Sequence, residues 1–205
     1  MNYAISGHSE PGADPSVELI ADYARRHPEE AGEIALFAGF LASDAAVFER
    51  SHPPGHITAS CWLVSADGQR LLMTHHRKLQ RWLQLGGHCD GDRNVHRAAL
   101  REAEEESGLS ELSIEPALFD IDRHRIPARG SEPEHWHYDL RFVIHATGSQ
   151  EFVISDESHD LAWRDIADLV TDPETEPSIR RMARKWLGRR GAPGASAKQP
   201  LPSNG

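Results

Sequence analysis

Three glutamates on one short segment carry the clearest chemical signal in the chain. They lie in the run 101–109, which reads REAEEESGL. At 100° per residue of an α-helix, Glu102, Glu105 and Glu106 share an arc of about 100°. Like charges at this spacing repel each other, and carboxylates in the last turns oppose the helix dipole. Their oxygens are ligands that Mg²⁺ or Mn²⁺ prefers, so we predict a divalent-cation site on this face.

A glycine pair upstream of this helix supports the same interpretation. Gly86 and Gly87 lack side chains, so their backbone can approach a ligand closely, and a loop carbonyl could supply another oxygen. The alternative is a solvated acidic surface, which is what most charge runs are. That alternative is disfavoured here because Val95 and Ala98 lie on the same side of the predicted helix as the three glutamates.

A second polar pattern lies in the predicted strand 135–142, HWHYDLRF. At the strand period, one face carries His135, His137, Asp139 and Arg141. This face could line a substrate cleft, where the arginine grips phosphate and the histidines donate to it. A His-x-His pair with an aspartate could also bind zinc, and a solvent-facing strand is the third alternative. Arg77, in the connection before the glycine pair, is a further candidate phosphate contact.

The charge balance limits the classes of partner. The chain has 205 residues, with 22 Lys and Arg against 32 Asp and Glu, a net charge of −10. This excludes a generic nucleic-acid binder and argues against docking on anionic membranes. A polyanionic substrate would therefore need a bound cation. The sequence shows no secretory signal or apolar span of membrane length, and its two cysteines form no disulfide framework, so we expect a cytoplasmic protein.

The elements that must position these residues indicate an α+β domain with a mixed sheet. A cluster of breakers at 51–55 divides a helical N-terminal extension, 1–55, from a domain at 56–187, which is followed by a disordered tail, 188–205. We predict helices at 14–27, 29–50, 93–107, 165–170 and 178–187. We predict strands at 57–66, 70–76, 135–147, 152–154 and 161–163, with mixed strand and turn at 112–126. Asp67-Gly68 predicts a hairpin, and Gly108 a left-handed helix cap.

The run 87–109 resembles the Nudix box, Gx5Ex7REUxEExGU, with every spacing preserved. The resemblance covers about residues 56–170 and implies an α/β/α sandwich that hydrolyses a nucleoside diphosphate linked to another moiety. It implies Mg²⁺ or Mn²⁺ held by Glu102, Glu105, Glu106 and the carbonyl of Gly86. A further acid from a later loop often joins such a site, and Glu157 is the candidate here. Glu102 or Glu157 would be the general base, and a homodimer is common in the family.

The sequence departs from the box at one position. Arg93 stands where the first box glutamate usually pairs with the box arginine, which is Arg101 here. Asp90 or Asp92 is therefore expected to take over that pairing. The departure leaves open a catalytically silent Nudix-fold binding or sensor domain. A prenyl-diphosphate isomerase is a further alternative, which would require a cysteine such as Cys89 in the cleft.

Overall fold

The computed structural model describes residues 14–76, 80–153 and 158–191. Within these residues, a mixed sheet of seven strands forms the centre of the domain and carries helices on both faces. In chain order the elements are α1 (Pro15–Arg26), a 3₁₀ turn (Pro28–Glu30), α2 (Ala31–Ser43), β1 (Gly55–Val64), β2 (Arg70–His76), β3 (Arg81–Leu83), β4 (Leu85–His88), α3 (Val95–Ser107), β5 (Leu112–Ile126), β6 (His135–Ala146), β7 (Ser158–Asp165), α4 (Ile166–Thr171) and α5 (Pro177–Gly191). The α+β class and the α/β/α layering are confirmed.

The centre of the sheet is a parallel pair of strands. β1 runs parallel to β6, with His56 opposite His137 and Thr58 opposite Asp139. β5 lies antiparallel to β6 on the far side, while β2 and β4 are antiparallel partners of β1. This topology brings the polar halves of β1, β4, β5 and β6 onto neighbouring positions.

Alternation along β1 separates the two apolar layers. Ile57 and Leu63 face a cluster that includes residues of α1, α2 and α3. Trp62 and Val64 face the opposite cluster, which includes Trp186 and other residues of α4 and α5. Because successive strand residues point to opposite faces, one strand serves both cores.

Local signals set several boundaries as expected. The side chain of Asp14 accepts from the amide of Ser16 at 2.9 Å and caps α1. Gly108, with φ of 71°, ends α3 in the left-handed conformation. The predicted hairpin is confirmed, since Val64 pairs with Leu71 across the Asp67-Gly68 turn.

The second helix is shorter than the predicted 29–50, since α2 ends at Ser43. The hydroxyl of Ser43 donates to the carbonyl of Phe40 at 2.7 Å, and a carboxylate oxygen of Asp44 accepts from the amide of Ala46 at 2.8 Å. These local side-chain bonds compete with helix continuation. Phe48 is nevertheless buried, so the apolar pattern reported burial correctly but not the helix.

Four further predictions need correction. The connection 77–92 contains β3 and β4, and 112–126 forms one strand, β5. Residues 152–153 are not strand, and residue 154 lies outside the described part. α5 continues through 188–191, which were predicted as tail; residues 1–13 and 192–205 are outside the described ranges.

The N-terminal helices share the core of the domain. Tyr23 of α1 is fully buried, donates to Glu30 at 2.7 Å and accepts from Lys185 of α5 at 2.8 Å. The hydroxyl therefore links the start of the described chain to its last helix. Among the described residues, none of the helices has the length and hydropathy needed to cross a bilayer.

Candidate functional site

Helix α3 is fixed at both ends and along one face. The Asn94 side chain accepts from the amide of Arg97 at 3.0 Å and caps the N-terminus, while Gly108 caps the C-terminus. Buried Val95, Ala98, Ala99 and Ala103 pack this helix against the sheet. The small alanines allow a close approach of the helix to the strands, so the glutamates that follow lie beside β4.

Two of the box glutamates contact the glycine pair. The amide of Gly86 donates to Oε2 of Glu106 at 2.9 Å. Gly86 has φ of +151°, a conformation that residues with side chains rarely adopt, and a Cβ there would overlap Ser60. A Cβ on Gly87 would overlap the carboxylate of Glu102. Gly87 is therefore required for the Glu102 carboxylate to lie against β4, and Gly86 for the close pairing of β4 with Ser60 of β1.

Arg101 couples α3 to the end of β4. One guanidinium nitrogen, Nη2, donates to the carbonyl of His88 at 2.7 Å and to Oε1 of Glu102 at 2.9 Å. Burial raises the pKa of Glu102, and the hydrogen bond from Arg101 opposes that shift. The negative charges of Glu105 and Asp90 raise the pKa of Glu102 further, which shows that like charges accumulate at this edge.

The chemistry of these donors fits a hard divalent cation. Glu102 and Glu106 are partly buried beside the glycines, and Glu105 is exposed. A divalent cation would offset the mutual repulsion of these carboxylates. Among the described residues, groups with three ligand atoms within 4.8 Å are formed by other side chains, so the three carboxylates are not already converged on one point.

The expected replacement partner for Arg101 was wrong. Asp90 pairs with Arg50 at 3.2 Å, and Asp92 pairs with Arg97 at 2.6 Å. Arg101 instead bonds Glu102, its neighbour in sequence. The pairing of Asp90 could not be read from the box, because Arg50 lies outside it.

Arg93 turns away from the glutamates and toward the N-terminal helices. Its guanidinium donates to Asp14 at 2.8 Å and to the carbonyl of Ala45 at 2.7 Å, and it lies 5.3 Å from the ring centroid of Phe48. The departure from the box therefore ties the segment before α3 to the N-terminal helices. It brings no positive charge into contact with a box glutamate.

The polar face of β6 divides into a buried half and a histidine half. Asp139 is 2% exposed and accepts from Thr58 at 2.9 Å, Ser60 at 2.8 Å and Nε of Arg141 at 2.7 Å. The Arg141 side chain is 3% exposed and also pairs with Asp122 at 3.2 Å. Both groups are engaged inside the protein, so the structure gives them a structural role instead of the predicted substrate contact.

The histidine half collects side chains that sequence reasoning did not group. His135 and His137 of β6 lie beside His56 of β1, with ring centroids 5.0 and 4.7 Å from that of His56. His88, at the end of β4, and His124, on β5, each lie within 5.3 Å of His137 by the same measure. Burial lowers the pKa of His56 to about 3 and of His137 to about 2, so both are neutral near pH 7.

Two predicted site residues fall outside the described part of the chain. Arg77 lies in the segment 77–79 and Glu157 in the segment 154–157. A cleft of about 400 Å³ borders the histidines and is lined by Arg50, Asp90, Glu132 and His135, among others.

A family model supplies the class of protein that this fold and site define. The NUDIX domain model matches residues 54–186. The chain belongs to the Nudix family, and the match begins one residue before β1. No curated protein sequence matches the chain significantly.

Solved structures share the fold at low sequence identity. An Ap4A hydrolase from C. elegans, in a binary complex, is 16% identical with a TM-score of 0.53, covering 65% of this chain and 96% of its own. A NUDIX-family hydrolase from Clostridium perfringens is 24% identical with a TM-score of 0.53, covering 66% and 97%. The E. coli dihydroneopterin triphosphate pyrophosphohydrolase is 16% identical with a TM-score of 0.51, covering 65% and 95%. At these identities the likeness establishes the Nudix fold, and the neighbours are hydrolases.

Proposed function

We propose that this protein is a Mg²⁺- or Mn²⁺-dependent hydrolase that cleaves the diphosphate linkage of a nucleoside diphosphate joined to another moiety. The observation that carries the proposal is the contact of Glu106 with the amide of Gly86 and the placement of the Glu102 carboxylate against Gly87. These contacts assemble oxygen donors next to backbone that has been cleared of side chains. Such a cation would also offset the repulsion between an anionic substrate and this protein, whose net charge is −10.

Each residue of the site has a role in the proposed reaction. Glu102, Glu105, Glu106 and the carbonyl of Gly86 would hold the cation. When bound, it would neutralise pyrophosphate oxygens and acidify the attacking water. Glu102 or Glu157 accepts the proton of the water, and Arg101 orients Glu102 through its 2.9 Å hydrogen bond. Arg77 is the proposed phosphate contact.

The catalytically silent binding domain is the second candidate, and Arg93 is the observation that favours it. Two observations argue against this candidate. All three box glutamates are present, and the Arg93 guanidinium donates its hydrogen bonds to Asp14 and to the carbonyl of Ala45. The isomerase alternative is weakened because Cys89 is buried and burial raises its pKa to about 12. A thiol with so little thiolate at neutral pH is a poor catalytic group.

The test is nucleotide or phosphate release from a substrate panel. NDP-sugars, ADP-ribose, dinucleoside polyphosphates and (d)NTPs are incubated with Mg²⁺ or Mn²⁺, beside the Glu105→Gln/Glu106→Gln variant. Turnover that requires metal and is lost in the double variant supports the hydrolase and names its substrate class. If wild-type protein binds neither Mg²⁺ nor Mn²⁺ by calorimetry and hydrolyses nothing, the silent binding domain replaces the proposal. Homodimer formation and a cytoplasmic location stay predictions.

Gly87→Ala is expected to lower kcat by about 10- to 100-fold, because the new Cβ overlaps the Glu102 carboxylate and displaces it. Stability should change little, since the overlapping atoms end a side chain that can rotate away. The matched control is Gly32→Ala, because no atom lies within 4 Å of a Cβ at Gly32. Kinetics and thermal denaturation of both variants separate the two effects. Full activity of Gly87→Ala would show that the position of Glu102 is unimportant.

A further inference from the structure

Four histidines meet at one end of the parallel strand pair. This histidine cluster consists of His56, His88, His135 and His137. The strand register explains it: His56 lies opposite His137, while Thr58, two positions along β1, lies opposite His88. Side chains two apart on a strand share a face, so all of these rings point to the same side of the sheet.

His56 is the unusual member of the cluster. It is 1% exposed, and neither of its ring nitrogens has a hydrogen-bond partner among the described residues. Buried polar groups in proteins are nearly always paired, so an orphaned imidazole requires an explanation. Its ring lies 4.9 Å from that of His88 and 4.7 Å from that of His137 between centroids. A ligand shared with those rings would satisfy it.

We propose that His56, His88 and His137 bind a transition-metal ion, with Zn²⁺ as the expected ion, at a site separate from the box glutamates. One ring nitrogen from each histidine lies within 4.8 Å of the others. Neutral imidazole is a preferred ligand of Zn²⁺, whereas Mg²⁺ prefers the oxygen donors of the glutamate site. The two sites therefore select different ions by donor chemistry.

His135 is the candidate for a fourth coordination position, which it would reach by a side-chain movement because it lies outside the 4.8 Å group of the other three. Its Nε2 lies 3.3 Å from Nε2 of His137. Two ligand nitrogens of a tetrahedral zinc site, at Zn–N of about 2.0–2.1 Å, are separated by roughly the same distance. Nδ1 of His135 donates to the carbonyl of Pro133 at 2.9 Å, which leaves Nε2 with its lone pair toward His137. Such a bond to a carbonyl is how zinc-binding histidines are usually oriented.

Arg50 competes with the ion for His88. A guanidinium nitrogen of Arg50 donates to Nδ1 of His88 at 2.9 Å. A metal at Nδ1 of His88 would displace the guanidinium of Arg50. A metal at Nε2 would leave the ring proton on Nδ1, which could then no longer accept a hydrogen bond from Arg50. Binding therefore requires Arg50 to release His88, after which Arg50 keeps its pairing with Asp90 at 3.2 Å. Removing Arg50 should consequently tighten zinc binding.

The site would brace the backbone next to the glycine pair. His88 immediately follows Gly86 and Gly87 on β4, while His56 and His137 lie on β1 and β6. An ion shared by these strands would fix the end of β4 against the centre of the sheet. The proposed ion stabilises the native state because the histidines are brought together only on folding.

The experiment measures zinc affinity in tag-free full-length protein stripped of metal. Because the glutamates can also take zinc, the measurement is made in Glu105→Gln/Glu106→Gln protein. Competition with a chromophoric chelator gives the affinity, and Co²⁺ serves as a spectroscopic probe of tetrahedral nitrogen ligation. We expect tight binding that His56→Gln or His137→Gln weakens at least about 100-fold, a zinc-dependent rise in Tm that these variants lose, and tighter binding in Arg50→Gln.

The matched control is His145→Gln, which removes a histidine from the same strand, β6, where it pairs with Glu115. It should bind zinc like its parent. Should His56→Gln or His137→Gln misfold, the partly exposed His88→Gln provides the same test. Equal zinc affinity in the parent and the cluster variants, or no zinc binding in the parent, would overturn the proposal. Neither result would affect the hydrolase, whose test uses the box glutamates.

Discussion

Glu102→Gln is expected to lower kcat of diphosphate hydrolysis by about 10³-fold, because it removes several kcal/mol of transition-state stabilisation. The Glu102 side chain is 17% exposed and is placed between Arg101 and the glycine pair. Glutamine keeps the size of the side chain and its contact with Arg101. It loses the charge that holds a cation and the basicity that accepts a proton from water.

The same substitution should leave stability nearly unchanged. Burial raises the pKa of Glu102, so ionisation costs the folded state free energy at pH 7, and neutral glutamine avoids that cost. Arg101 retains the carbonyl of His88 as a partner. Low activity combined with an undiminished Tm would therefore locate the defect in the reaction and not in folding.

Glu104→Gln is the matched control, since it changes the same residue type on the same helix. Glu104 is exposed, and on the helix wheel it points away from the other glutamates. Its variant should keep wild-type kcat and KM on whichever substrate the panel identifies. Activity of Glu102→Gln within about tenfold of wild type would exclude Glu102 as the essential base or ligand.

The site helix could be predicted because its signals are local. The spacing of Glu102, Glu105 and Glu106, the cap at Gly108 and the Asp67-Gly68 hairpin each depend on a few neighbouring residues. The glycine pair was recognised from its fixed distance to this segment, whereas its direct contact with Glu106 is an observation of the structure. The family assignment rests on these same residues, and the match to residues 54–186 confirms it.

The burial and the partners of the polar side chains of β6 could not be predicted in the same way. Alternation correctly placed Asp139 and Arg141 on one face, but the side chains that occupy that face come from distant segments. Arg181 of α5 and Asp120 of β5 are brought there only by the tertiary fold. The burial of His56 likewise depends on the register of three strands, which no local pattern encodes.

Arg141→Met is expected to cost about 3–5 kcal/mol of unfolding free energy, because breaking a buried ion cluster leaves charges uncompensated. The Arg141 guanidinium contacts three carboxylates, which are Asp139 at 2.7 Å, Asp122 at 3.2 Å and Asp120 at 3.5 Å. Arg181 and Lys185 supply the other positive charges, at 2.6 and 2.8 Å from Asp120. Three aspartates thus face three cations, and methionine fills the volume of arginine without its charge.

Chemical denaturation gives the cost, and two further variants assign its cause. Arg25→Met removes an arginine whose pairing with Asp22 is solvent-exposed, so it should cost no more than about 1 kcal/mol. Asp139→Asn combined with Arg141→Met should be more stable than Arg141→Met alone, since it removes one unpaired buried charge. Equal costs for Arg141→Met and Arg25→Met would show that the cluster contributes nothing beyond a surface pair.

Acid should reduce the difference in free energy of unfolding between wild type and Arg141→Met. Burial alone would raise the pKa of Asp122, but its hydrogen bond from His124 and the charges of Arg141 and Arg181 hold that pKa well below its usual range. A carboxyl group with a depressed folded pKa contributes stability above its unfolded value, near pH 4, and loses it as the pH falls toward the folded value. Arg141→Met already lacks part of that stabilisation at neutral pH. Acid therefore lowers its free energy of unfolding less than it lowers that of the wild type. Chemical denaturation at pH 7 and below about pH 4 should therefore show that the two proteins differ less in free energy of unfolding in acid. The same difference at both pH values would assign the cost of the substitution to packing instead of charge.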